Sequence, residues 1–234
     1  MKTVDLNADL GEGMPWDFAL LRRITSANVS CGAHAGDPSA IAATVAEAHR
    51  LGVVVGAHPS WPDRAGFGRV EQTATADEVE AMVIEQVGWL VALGGPVQYI
   101  KPHGALYNQA MRDDEASAPI REGLLAAVRR LGLPLMGQPG TSLERMAESR
   151  TLVYVAEGFP DRSYRSNGRL VPRTEVGAMI EGLEAVASQA IRLVERGMAS
   201  LCLHGDEPEA PARADAIRES IGRAGILVRP FARS

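Results

Sequence analysis

Lysine is nearly absent from this sequence: of 24 basic side chains only Lys2 and Lys101 are lysines, and every other cation is an arginine. With a formal net charge of −5 there is no basic excess to draw the chain to nucleic acid or to an anionic membrane surface. Cysteine is equally scarce. Cys31 and Cys202 each lie inside an apolar, strand-like stretch, so they read as buried free thiols and not as a secreted disulfide framework. No window approaches about 18 consecutive apolar residues, which argues against a membrane-spanning helix. The first residues carry Asp5, Asp9 and Glu12 where a signal peptide needs an apolar core, so the expected location is the cytoplasm. Also missing are HExxH, CxxC, GxSxG and a phosphate loop, which removes the common one-line catalytic signatures. A small-molecule substrate is the default that remains.

The 234 residues, 46% hydrophobic and 23% charged, suit one large core. Short β-rich runs near 4–8, 26–31, 53–57, 98–102, 134–137, 152–156, 200–204 and 226–229 alternate with helical patterns, the order expected of parallel β/α units. Asp37 before Pro38 predicts an N-cap, and Ile41, Val45 and Ala48 form the apolar stripe of a helix that stops at Gly52. Thr75 and Glu78 have capping-box spacing ahead of a helix ending at Gly94-Gly95-Pro96, and Thr141 with Glu144 repeats the spacing. Two further helical stretches run from Ala178 to Arg196 and from Glu209 to Arg223. No linker interrupts the series, so the expectation is one α/β domain over 1–234, a distorted TIM-like (β/α)7–8 barrel. An open doubly wound sheet is the alternative, and it lacks the Gly-rich turn after the first strand that would support it.

The first strand poses a question. Asp5, Asn7 and Asp9 share one face by period-2 alternation, and Val4, Leu6, Ala8 and Leu10 share the other. A carboxylate inside a parallel barrel is costly unless it is paired, hydrated or bound to a cation. The same test puts Asn28 with Ser30, Tyr99 with Lys101 and His103, and Cys202 with His204 and Asp206 on common faces. If these faces all point inward, the barrel encloses a polar, ionisable pocket. Four of the five histidines, His34, His58, His103 and His204, fall at or just past the carboxyl end of an expected strand, where barrel active sites are built. His49 lies on a helix and reads as structural.

Six segments in order resemble the LamB/YcsF family over nearly the whole chain: DLNADLGEG (5–13), SANVSCGAHAGDP (26–38), GAHPSWPDRAGFGR (56–69), IKPHGALYN (100–108), FPDRSYRSNGRLVPR (159–173) and LCLHGDEP (201–208). The resemblance implies a distorted (β/α) barrel of the glycoside hydrolase/deacetylase type. It also implies the activity of the A subunit of ATP-dependent 5-oxoprolinase, which opens the lactam of 5-oxoproline to L-glutamate with ATP hydrolysis, together with subunits B and C. Three details depart from the family pattern. The chain runs directly through Met14-Pro15-Trp16-Asp17 where the family carries a longer loop with paired acids, Ala33 stands where an aromatic is usual, and Trp61 replaces a tyrosine.

Phosphorylating a lactam oxygen makes its carbon electrophilic, and water attack then needs a carboxylate base, a proton donor and cations for oxyanion and phosphoryl charge. On this reading Asp9 is the base and His34, His58 and His103 are acid/base or metal-facing groups. Lys101 is the point charge, its compact ammonium differing from the Arg fork used elsewhere. Asn7, Glu12, Asn28, Asp37, Glu157, Arg162, Arg173, His204 and Asp206 are the expected substrate- or nucleotide-binding residues. Asp9, His34 and His58 would make a two-histidine, one-carboxylate set for a divalent metal, while Mg2+ would arrive with ATP. With no phosphate loop, any ATP site must be of another kind or be completed by partner subunits. Two alternatives stay open: a divalent-metal deacetylase or other hydrolase acting on a carbohydrate-like substrate, and a noncatalytic subunit that holds the lactam. Assembly into a homo-oligomer also stays open.

Overall fold

The computed structural model describes residues 2–232; positions 1, 233 and 234 of the expected domain lie outside the described residues. The elements follow in the order β1 (Thr3–Leu10), α1 (Asp17–Leu21), β2 (Ser26–Ser30), α2 (Pro38–Leu51), β3 (Val54–His58), α3 (Ala76–Gly94), α4 (Gly104–Met111), α5 (Ala118–Leu131), β4 (Leu135–Gly137), α6 (Ser142–Ser149), β5 (Tyr154–Gly158), α7 (Leu183–Glu195), β6 (Ser200–Leu203), α8 (Ala210–Arg223) and β7 (Leu227–Val228). The strands are parallel in the order β3-β2-β1-β6-β5-β4, and β7 pairs with the start of β1. Ile100 forms single parallel bridges to Ala57 of β3 and Leu135 of β4, and these close the ring. The architecture is a distorted TIM-like barrel, as the alternation of elements implied.

Four local differences from the sequence reading have physical causes. The expected strand at 98–102 is reduced to a bridging segment. Ile100 N donates to Pro134 O at 2.9 Å, and the next rung toward β4 falls to Pro102, which has no N–H. β5 starts two residues later than expected because Arg150 to Leu152 form the turn that ends α6, with Leu152 N on Ala147 O at 2.9 Å. Residues 178–182 are not helical: Ser163 N bonds to Ala178 O and Ile180 N to Asp161 O, each at 2.9 Å, so 162–180 folds back on itself as an arm. Helices α1, α4 and α5 are additional. α4 is buried nearly all round and His103 caps it without a side-chain bond, so it carries neither stripe nor cap signal. The capped helices follow the pattern, with Asp37 accepting from Ser39 N at 2.9 Å ahead of α2 and a reciprocal Thr75–Glu78 box ahead of α3.

The apolar face of β1 packs outward: Val4, Leu6, Ala8 and Leu10 are buried with the helices of the main core. Inside the barrel, Val54, Tyr99, Met136 and Val155 form a separate apolar cluster, covered by Phe231 with its ring centre 5.0 Å from that of Tyr99. Tyr99 can cross the barrel because Gly56 faces it; a Cβ at residue 56 would stand 2.2 Å from the Tyr99 ring.

Candidate active site

Beside this apolar cluster the inward polar residues build a continuous network. The buried Asp5 carboxylate accepts from Thr25 Oγ1 at 2.7 Å, from Ser26 Oγ at 2.6 Å and from the Ser200 hydroxyl. Burial outweighs those bonds and raises its pKa to about 6. Asn7 donates to Ser200 Oγ at 2.7 Å, and the Asn28 amide donates to both Asn7 Oδ1 and Asp9 Oδ1 at 2.7 Å. Tyr99 donates its hydroxyl to Asn28 Oδ1 at 2.6 Å. Asn7 and Asn28 thus lie beneath the site and hold Asp9 in place.

Lys101 reaches into this network from the bridging segment. Its Nζ lies 2.7 Å from Asp9 Oδ1, 3.0 Å from Cys202 Sγ and 3.7 Å from Glu157 Oε2. Burial alone would lower the ammonium, but Asp9, Cys202 and Glu157 overturn that and hold it well above its ordinary value. Burial likewise works against the Asp9 carboxylate, yet His58 and Lys101 hold it well below the usual range, so the pair stays ionised. Glu157 is buried beside this pair, and burial raises its carboxyl.

The histidines form a second group. His58 Nδ1 is 2.6 Å from the Lys101 carbonyl and His103 Nε2 is 2.9 Å from the Phe67 carbonyl, and a carbonyl only accepts. Those nitrogens therefore carry protons, and the remaining ring nitrogens, His58 Nε2 and His103 Nδ1, face each other at 3.0 Å. Asp9 Oδ2 lies 3.4 Å from His58 Nε2, so acceptors converge on a point that suits a proton or a cation. His34 Nε2 is committed to Glu12 Oε1 at 2.9 Å, and its ring stacks on His103 with centres 3.9 Å apart. Burial, then the neighbouring His58, push His34 down to about 3 and His103 down to about 2, while burial and Asp9 raise Glu12 to about 7. Gly68, at φ +66°, lets its loop close on these rings, since a Cβ there would stand 2.9 Å from His34 Cβ.

Two sets of donor atoms lie mutually within 4.8 Å: Asp9, His58 and His103, and Glu12, His34 and His103. The expected metal set of Asp9, His34 and His58 is therefore not the one assembled. Glu12 holds His34 away, and His103 takes its place beside Asp9 and His58.

On the opposite wall, His204 Nδ1 and its backbone N meet Asp161 Oδ2 at 2.8 and 3.2 Å, and its ring lies against Phe159 with centres 5.5 Å apart. Asp161 is fully buried, which favours its neutral form, but the His204 ring and N–H hold it below its ordinary value. The sequence reading misses Asp161, although it stands in the quoted FPDR segment just past β5. Asp9, Glu12, His58, Lys101, His103, Phe159 and His204 line one cavity of about 760 Å³ with Tyr107 and Arg162, and His34, Glu157 and Asp161 stand behind that lining. At its rim Asp206 Oδ2 holds Arg69 at 2.8 Å and Arg173 at 3.1 Å, joining three loops. Asp37 is not among the lining residues; it is exposed, and its carboxylate is spent on the α2 N-cap. Among the described residues, no helix is long and apolar enough to cross a membrane.

An ion pair, clustered histidines and a carboxylate–imidazole pair at the carboxyl ends of the strands define a (β/α) barrel whose site lies where such barrels do their chemistry. The chain belongs to the LamB/YcsF family, whose sequence profile matches residues 4–234. A protein from Methylococcus capsulatus, named as the A subunit of 5-oxoprolinase, is 43% identical over 251 aligned residues, covering 97% of this chain and 95% of that protein. The crystal structure of the lactam utilization protein from Thermus thermophilus superposes with a TM-score of 0.87 at 39% identity, covering 99% of this chain and 100% of that one. A family 4 carbohydrate esterase from Streptomyces lividans shares the fold alone, with a TM-score of 0.55 at 12% identity over 100% of this chain and 97% of that one.

Proposed function

We propose that this chain is the A subunit of an ATP-dependent 5-oxoprolinase and opens the lactam of 5-oxoproline to L-glutamate. The observation that carries the reading is the buried Lys101–Asp9 pair at 2.7 Å, which shares a cavity with His204, in a relative of proteins bearing that name. Lys101 is placed to face the negative charge carried by the activated, phosphorylated lactam oxygen as water adds to the ring carbon. Asp9, the expected base, is held so firmly ionised that it is a weak proton acceptor until the ammonium turns to that charge. Glu12, raised to about 7, is the better-matched acceptor near neutrality. His204, with Nδ1–H fixed on Asp161, has Nε2 free to pick up the proton released by the attacking water and pass it to the ring nitrogen as the C–N bond breaks. ATP with Mg2+ would activate the lactam oxygen, with subunits B and C completing the nucleotide site. The remaining parts of the reading are a cytoplasmic location and a single barrel domain over the chain.

The donor set of Asp9 with His58 Nε2 and His103 Nδ1 fits a divalent cation, since both nitrogens have lone pairs directed at one point. Bound there, a metal would supply Lewis-acid polarisation of a carbonyl. That donor set favours a second reading, a metal-dependent hydrolase that works without ATP. One experiment separates the two. Glutamate release from 5-oxoproline is assayed with the purified chain alone and with its partner subunits, with and without ATP, and metal content is determined on the same sample. Glutamate appearing only with ATP and partners is expected. No glutamate in any mixture, with about one equivalent of tightly held metal, overturns the lactam reading in favour of the hydrolase.

A further inference from the structure

We infer that Arg162 is the receptor for the substrate's carboxylate and the residue that restricts the site to lactams bearing one; the inference rests on the lactam reading above. Every other arginine at the cavity has a carboxylate partner: Arg69 and Arg173 have Asp206, Arg112 has Glu71 and Arg169 has Asp113. Arg162 has none within 4 Å among the described residues, although only 6% of its surface is exposed and it lines the cavity with Asp9 and Lys101. A cation so deeply buried without an anion is unfavourable. Its guanidinium is held by carbonyls alone: Nη2 donates to Val171 O at 2.6 Å and Nε to Ala178 O at 3.4 Å. Nη1 makes no hydrogen bond to the described residues.

The chain around Arg162 sets its distance from the chemistry. The turn Phe159-Pro160-Asp161-Arg162, closed by Arg162 N on Phe159 O at 3.3 Å, supplies three successive functions. The Phe159 ring centre lies 5.7 Å from Lys101 Nζ and 5.5 Å from that of His204, Asp161 orients His204, and Arg162 comes next. In 5-oxoproline the ring nitrogen separates the carbonyl carbon from the carbon that bears the carboxylate. One molecule can therefore offer its carbonyl to Lys101, its nitrogen to His204 and its carboxylate to Arg162. Because Val171 and Ala178 belong to the arm over 162–180, the same guanidinium that takes the carboxylate also ties down the arm.

Calorimetric titration of the purified full chain with 5-oxoproline and with 2-pyrrolidinone, the same lactam without the carboxylate, tests the assignment. The wild-type protein is expected to prefer the acid by about 30-fold, from about 2 kcal/mol for a hydrogen-bonded ion pair. Arg162→Gln should bind both lactams alike. An undiminished preference in Arg162→Gln overturns the assignment of Arg162 and leaves the lactam reading standing, whereas a wild-type protein that binds neither lactam overturns both. If the glutamine variant fails to fold, Arg162→Lys keeps the charge without the planar fork, and its preference should fall between the two; equality with wild type there overturns the proposal. Inorganic phosphate is the competing anion, and tighter binding of phosphate than of 5-oxoproline at Arg162 overturns the carboxylate assignment.

Discussion

Asp5 and Asp9 sit four residues apart on one strand and face into the same barrel, yet their surroundings are opposite. Asp5 is enclosed by three hydroxyls and has no cation beside it among the described residues, so burial makes it hold its proton to about 6. Asp9 has Lys101 and His58 beside it and stays ionised although most of its side chain is buried too. The first is polar structure, whose oxygens are spent on neighbouring strands. The second is a charge held ready where the cavity opens. What separates a structural carboxylate from a chemical one in this barrel is therefore the charge of its neighbours together with an opening onto the cavity, and not residue type.

The sharpest test of that contrast is Asp9→Asn. It removes the counter-charge of Lys101 and the anion beside the histidines, so activity in the assembled enzyme should fall by about 10³-fold, from the usual range for acid–base groups. Steady-state glutamate formation checks this, and a loss below tenfold would make Asp9 another Asp5.

Asp5→Asn should leave the chemistry alone and change stability with pH. The folded pKa near 6 lies above the unfolded value of about 3.9, so Asp5 contributes stability that is complete below about pH 4 and is lost as pH rises through about 6. The difference is on the order of 3 kcal/mol. Denaturant unfolding at pH 4 and pH 7.5 should show wild type losing roughly 2–3 kcal/mol more than the variant over that interval. Equal losses would mean that the three hydroxyls stabilise the anion fully.

The smallest effect belongs to His49, the histidine outside the barrel. It is exposed in the last turn of α2, and His49→Gln should stay within about 0.5 kcal/mol of wild type with unchanged activity. A larger change in either quantity would show that the helix surface matters to the site.

Much of the site was legible in the sequence, but this contrast was not. Period-2 alternation placed Asp5, Asn7 and Asp9 inward, and the same test found Lys101 and His204. It could not tell Asp5 from Asp9, because the difference comes from residues such as Ser200 and Lys101 that are distant in the chain. Pairings were illegible for the same reason: His34 went to Glu12 and His103 to His58 through loop geometry, with no fixed spacing to announce it. Asp161 carried a local signal, a carboxylate just past a strand end, that the search for histidines passed over. Alternation misled once, since Pro102 shortened the strand that the pattern through Tyr99 and Lys101 had suggested.

The rim is fastened differently from the floor. Arg69 and Arg173 converge on a single oxygen of Asp206, and their side chains are 47% and 31% exposed against 3% for Lys101. Ions in that position are screened within about 8 Å at physiological salt, whereas the buried pair is not. Ionic strength therefore acts on the entrance and spares the chemistry: the solvent sets how tightly the three loops are latched, and entry and exit of a charged substrate vary with salt even when the catalytic step does not.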